Sequence, residues 1–103
     1  MCTEVGIMFV VICSFPPMKA GKDAEFEEWF AWSNEELSKF KGLIRRKLLR
    51  PLEGGNYTAI SEFENQDAFK KIHSSPAHDK ASERVKQLLD GNPSLHFYEV
   101  VVE

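Results

Sequence analysis

Residues 5–15, VGIMFVVICSF, are an almost unbroken run of β-branched, aromatic and other apolar side chains. An apolar run with no polar alternation belongs to a strand covered on both faces, because each successive side chain points to the opposite side of the sheet. Pro16 and Pro17 end it. The run is about half the length needed to span a bilayer. It follows the acidic Glu4, with no basic stretch before it and no small-residue cleavage site after it, so it is not read as a signal peptide. Whatever fold forms must therefore cover both faces of the strand made by this segment.

Beyond the prolines, GKDAEFEEWFAWSNEELSKF places Phe26, Trp29, Phe30, Ser33, Leu37 and Phe40 on one helical stripe. Gly42 is the expected C-terminal cap of that helix. LIRRKLLRP and NYTAISEFE read as two strands of a hairpin joined across LEGG, whose glycines supply positive φ. NQDAFKKIH gives a short helix. Ser75 and Pro76 are then the N-cap and first residue of another, expected to run to about Asp90 with Ala77, Ala81, Val85, Leu88 and Leu89 on one face and Gly91 after its end. SLHFYEVVV closes the chain as a strand. The order β-α-β-β-α(α)-β is that of a ferredoxin-like α+β fold.

In that arrangement the helices cover one face of a four-stranded sheet and leave the other bare, which conflicts with the doubly apolar first strand. A homodimer with the two sheets packed face to face resolves the conflict. The chain of 103 residues, 43% hydrophobic and 28% charged, is one domain over 1–103. Its net charge of −3 argues against a nucleic-acid surface. Cys2 and Cys13 make no disulfide framework, and no Cys/His cluster has metal-ligand spacing, so no metal site is expected; a cytoplasmic protein with no membrane association fits this composition.

Nearly the whole chain resembles the antibiotic biosynthesis monooxygenase family of dimeric α+β barrel proteins. The resemblance is carried by FEEWF on the first helix, FKGLIRRKLLRP, GNYTAISEFENQDAFKKI, SSPAH and the closing FYEVVV. It implies a homodimer with an aromatic-lined pocket between sheet and helices in each subunit. Some members oxygenate polycyclic aromatic or quinol substrates with no metal or flavin, and another branch binds and degrades haem. In the haem branch an Asn on the first strand, a Trp on the short helix and an iron-ligating His on the next helix are the determinants. Here Ile72 stands at the Trp position, Ser82 at the His position, and the first strand offers no Asn.

Of the chain's three histidines, His78 lies beside the apolar face of the last helix, where an imidazole titrating near neutrality serves as a general base toward a phenol or quinol. His73 ends the short helix, where a cation suits the helix dipole, and His96 is a strand-edge residue without a role. Trp29 and Trp32, at i and i+3 on the first helix, are candidates for the pocket wall, as are Phe69, Ile72 and Ser82. Arg45, Arg46, Lys47 and Arg50 crowd an edge strand and guard it against edge-to-edge pairing. Alternation sends Arg45 and Arg46 to opposite faces, and the inward one, taken as Arg46, is placed to meet an anionic or enolate oxygen. The functional expectation is a cofactor-independent monooxygenase acting on an electron-rich aromatic or quinol, with His78 catalytic. The alternative is a non-catalytic dimer that binds a small molecule or haem.

Overall fold

Strand β1, Phe9–Ser14, is central to an antiparallel four-stranded sheet, with β3 (Thr58–Phe63) on one side and β4 (Ser94–Glu99) on the other. Strand β2 (Leu43–Leu49) pairs with β3 at the far edge, so the spatial order is β2-β3-β1-β4. The computed structural model describes residues 8–103; the part of the apolar run at 5–7 lies outside them. Helices α1 (Asp23–Leu37), α2 (Gln66–His73) and α3 (Pro76–Lys86) complete the ferredoxin-like α+β order.

Pairing fixes the two faces. Phe9, Val11 and Cys13 lie opposite Phe63, Ser61 and Ala59 on one side and Glu99, Phe97 and Leu95 on the other, so these residues share one face. Phe9, Val11, Ala59 and Phe63 are buried there beneath the helices. Val10, Ile12, Ile60 and Tyr98 share the opposite face, and Tyr98 is 52% exposed. Strand β2 joins this pattern only after a register shift between Leu43 and Arg45. Arg46 and Leu48 then fall opposite Ser61 and Ala59, while Arg45 falls opposite Glu62.

The apolar stripe of α1 packs as its periodicity requires, with Phe26, Phe30, Ser33 and Leu37 buried. The helix stops at Leu37, earlier than Gly42 would place it, and Ser38 caps it through its N–H to the Asn34 carbonyl. Gly42 serves a different purpose. Its φ is +99°, and a Cβ there would lie 2.5 Å from the Ala68 Cβ, so only glycine lets this turn pass against α2. Its carbonyl accepts from Glu64 N–H at 2.8 Å.

Helix α2 starts on Asn65, whose side chain accepts from Ala68 N–H at 2.9 Å, and α3 starts on Ser75, whose hydroxyl accepts from His78 N–H at 3.2 Å. Helix α3 ends at Lys86, short of the expected Asp90. Leu88 and Leu89 are still buried, because the chain leaves the helix to pair with the segment after β1: Leu88 accepts from Lys19 N–H at 2.9 Å and Asp90 N–H donates to Pro17 at 2.8 Å. At the same end of the sheet, where Phe15 N–H donates to Tyr57 O at 3.0 Å, the β2–β3 connection is pinned to α1. Glu27 accepts two hydrogen bonds from Arg50 Nη2, at 2.7 and 2.8 Å, and one from Tyr57 hydroxyl at 2.6 Å.

Candidate active site

Between the helices and the covered face of the sheet lies a cavity of about 260 Å³, just under the usual range for ligand pockets. Small side chains make it: Cys13 from β1, Ala59 and Ser61 from β3, Ala81 and Ser82 from α3 all line a space bounded by Trp29, Phe63, Phe69 and Ile72. The polar groups reaching its wall are Arg46, Ser61, His73, His78 and Ser82.

Arg46 enters because alternation after the β2 bulge turns it toward α1. Its Nη1 donates to Ser33 Oγ at 2.8 Å and to Asn34 Oδ1 at 2.9 Å, and the guanidinium lies 4.4 Å from the centre of the Phe30 ring. Ser33 passes its own proton to the Phe30 carbonyl at 2.8 Å, which explains a fully buried serine on an apolar stripe: it is the acceptor that holds the arginine. Every one of these partners is uncharged. Among the described residues Arg46 makes no ion pair. Burial pushes its pKa down to about 10, so the side chain remains a cation at neutral pH.

His78 approaches from the first turn of α3, where the Ser75 cap sets the helix phase. Its Nδ1 lies 3.5 Å from Ser82 Oγ, one helical turn on. Burial, with smaller contributions from the nearby His73 and Arg46, pushes its pKa down to about 4, against a weak opposing pull from Asp79. The imidazole is therefore uncharged at neutral pH. The Cys13 thiol, pushed up to about 11 by burial, is also uncharged.

Sequence reasoning assigned His73 to the end of α2, but Ser74 serves the last carbonyls, its hydroxyl donating to Lys70 O at 2.8 Å. The His73 ring stacks on Phe69 at 5.0 Å, stands 4.4 Å from the His78 ring and borders the cavity. Trp29 is in the wall, and its Nε1 donates to the Ala81 carbonyl at 3.0 Å, tying α1 to α3. Trp32 is not: three residues on, it is rotated off the stripe and lies under the Arg84 guanidinium at 4.1 Å, outside the cavity. Phe69, Ile72, Ser82 and Arg46 all line the cavity, and His96 lies on the opposite face beside Ile12. Sequence reasoning missed Cys13 and Ser61 in the wall. Strand alternation was the available signal, since both share Arg46's face.

The donor set does not fit haem held as the resemblance describes. Ile72 and Ser82 do face the cavity, but a hydrocarbon and a hydroxyl stand where a Trp and an iron-ligating imidazole are needed, and β1 carries no Asn. A 260 Å³ space is also small for a tetrapyrrole.

The fold and the cavity define a class, the ferredoxin-like α+β domain with a cavity under its helices. The antibiotic biosynthesis monooxygenase family model matches residues 8–84, and the chain belongs to that family. No curated protein matches the sequence. Among solved structures it is similar to SnoaB, a cofactor-independent oxygenase of Streptomyces nogalater, with 22% identity, 97% of each chain covered and a TM-score of 0.77. It is also similar to a putative antibiotic biosynthesis monooxygenase of Caulobacter crescentus, with 21% identity, 95% of this chain and 92% of the other covered, and a TM-score of 0.81. A haem-degrading protein of Mycobacterium tuberculosis, 24% identical over 95% of this chain and 96% of its own, has a TM-score of 0.73. At these identities the likenesses carry the fold. Among the described residues no helix is long and apolar enough to cross a membrane.

Proposed function

We propose that the cavity oxygenates an electron-rich aromatic or quinol with no bound cofactor, His78 acting as base. The observation that supports this most is the meeting of an uncharged imidazole and a cationic guanidinium at one apolar cavity. A base takes the proton, a cation steadies the oxyanion left behind, and an apolar wall keeps water from competing. For an activated ring methylene the balance is CH₂ plus O₂ giving C=O plus H₂O. The substrate supplies all four electrons, one oxygen atom enters the ring carbonyl, and the other leaves as water with both hydrogens. The stabilised anion passes the first electron to dioxygen. Similarity to a cofactor-independent oxygenase supports the same reading.

Oxygen uptake with a panel of hydroquinones and anthrones tests it. His78→Ala is expected to lower turnover of an accepted substrate by about 10²–10⁴-fold, the range for a positioned acid-base group, with circular dichroism unchanged. His73→Ala is expected to change it far less. Equal rates in the wild type and both variants would mean that the histidines are structural. No oxygen uptake with any substrate, together with binding of the same compounds, would favour the non-catalytic binder. A Soret shift on adding haem to the pure protein would bring back the haem reading, with His73 or His78 as ligand.

The proposed assembly is a homodimer, supported by the apolar patch of Val10, Ile12, Ile60 and Tyr98 on the sheet face that the helices leave bare. Light scattering at micromolar concentration is expected to give the mass of two chains, and a monomer mass would count against it. A reducing cytoplasm is the compartment this reading assigns.

A further inference from the structure

The cavity wall carries an imbalance of charge. Arg46 is a cation at neutral pH, it is half-buried, no acidic side chain lines the wall among the described residues, and the partners it has are neutral. A ligand that fills the cavity completes the removal of water from the guanidinium. A neutral ligand leaves that cation dry and unpaired, which is unfavourable, whereas an anionic ligand offsets the cost.

We propose that the natural ligand is an aromatic acid of one or two rings, already ionised in solution, whose carboxylate pairs with Arg46 while its ring fills the space between Trp29 and Phe69. This rests on the reading above that the cavity is the ligand site, and it narrows the substrate from any quinol to one that carries its own acidic group.

A second consequence concerns the base. Left empty, the cavity holds His78 as a weak proton acceptor, because burial and the positive side of the site oppose its protonation. The groups facing it are His73 on α2, Arg46 on β2 with the neutral Cys13 thiol beside that arginine on β1, and Asp79 and Ser82 on its own helix. A carboxylate at Arg46 counters the opposition of the guanidinium to a charge on the imidazole. Binding therefore moves His78 back toward the ordinary imidazole range, where an acid-base catalyst works best near neutral pH. The substrate's own charge completes the base, and a neutral analogue filling the same space does not.

The test compares 1-naphthoate with 1-naphthamide, which has nearly the same shape and no charge, by calorimetry on the wild-type protein. Naphthoate is expected to bind at least tenfold tighter. In Arg46→Gln that preference is expected to collapse to less than threefold. The chain has only three histidines, so the His78 ring protons can be followed by NMR through a pH titration. Their midpoint is expected to rise with naphthoate bound and not to rise with naphthamide. Equal affinity for the two compounds in the wild type overturns the acid specificity while leaving the cavity as the ligand site, and this holds even if Arg46→Gln does not fold. Tighter naphthoate binding with an unmoved His78 midpoint overturns the coupling. If neither compound binds, the cavity reading falls and the inference falls with it. Because no step requires oxygen uptake, acid binding without turnover upholds this inference and defeats the oxygenase reading alone.

Discussion

The space between helices and sheet has a packed end and a hollow end, built from the same strands by the same alternation. At the packed end Phe15, Phe26, Phe30, Tyr57, Leu88 and Leu89 interlock, with the Phe26 ring 4.9 Å from Phe15 and 4.8 Å from Tyr57. Toward the hollow end the strands and α3 present Cys13, Ser61, Ala81 and Ser82. The backbone scaffold is common to both, so the cavity is a product of side-chain volume. Interiors otherwise pack to crystal density, and an unfilled space forgoes dispersion contacts that the packed end collects. The packed end therefore collects contacts that the lining of the cavity forgoes, and the candidate chemistry sits where they are missing.

That division predicts its own largest effect. Phe26 is fully buried among three aromatic rings and lies outside the cavity wall. Phe26→Ala is expected to cost about 3–5 kcal/mol in denaturant unfolding, the usual cost of a large cavity in a packed core. Affinity for a cavity ligand, measured where the variant is still folded, should change little. A loss of affinity as large as the loss of stability would show that the two ends are not separate.

Gly42 is the corresponding point at the hollow end. Gly42→Ala forces an L side chain to a φ of +99° and drives a methyl to 2.5 Å from Ala68 on α2, the helix that carries Phe69, Ile72 and His73. Backbone strain of this kind costs about 1–3 kcal/mol, and here it acts on a cavity wall. Both stability and ligand affinity are expected to fall, in contrast with Phe26→Ala.

The ends should also differ in their response to acid. His78 holds a folded pKa of about 4, below the value of about 6.5 expected in the unfolded chain, so between those limits the unfolded state binds the extra proton. The contribution is neutral above pH 6.5, becomes increasingly destabilising as pH falls toward 4, and levels off below it. His78→Gln is expected to flatten the stability profile across that window, read as denaturation midpoints from pH 7 to pH 4. An unchanged slope would place the acid sensitivity elsewhere.

How much of this was legible beforehand follows the range of the forces involved. Local rules served well: the apolar run became a central strand, and Ser75-Pro76 became a helix start. The stripe of α1 was legible from Phe26 to Leu37, including a buried serine whose purpose became clear only with Arg46 in place, whereas Phe40, read on the same stripe, lies beyond the end of the helix. What failed was set by contacts distant in sequence. The end of α3 is decided by pairing with Pro17 and Lys19, and the role of Gly42 by Ala68 passing above it. Trp32 was placed with Trp29 because it stands three residues on along the same helix, yet one falls on the stripe and the other beside Arg84. That Arg45 and Arg46 point oppositely was legible from alternation; which one points inward depends on the bulge at Leu43/Arg45, which leaves no mark in the sequence.

Those two arginines give the smallest expected effect and the sharpest contrast. Arg45 reaches Glu62 across the outer face at 3.7 Å, with more than half of its side chain exposed. Water screens both charges, and exposed pairs of this geometry contribute roughly 0.2–1 kcal/mol. Arg45→Gln should therefore cost less than about 1 kcal/mol in denaturant unfolding and leave the choice between naphthoate and naphthamide untouched. Arg46→Gln changes the same residue type one position along the chain, but removes a cation that has no charged partner among the described residues. Its effect belongs in ligand choice, because the partner that completes it is the ligand. If Arg45→Gln shifts the naphthoate preference as much as Arg46→Gln does, the selection comes from the general field of a basic strand, and the one guanidinium at the cavity wall has no special part in it.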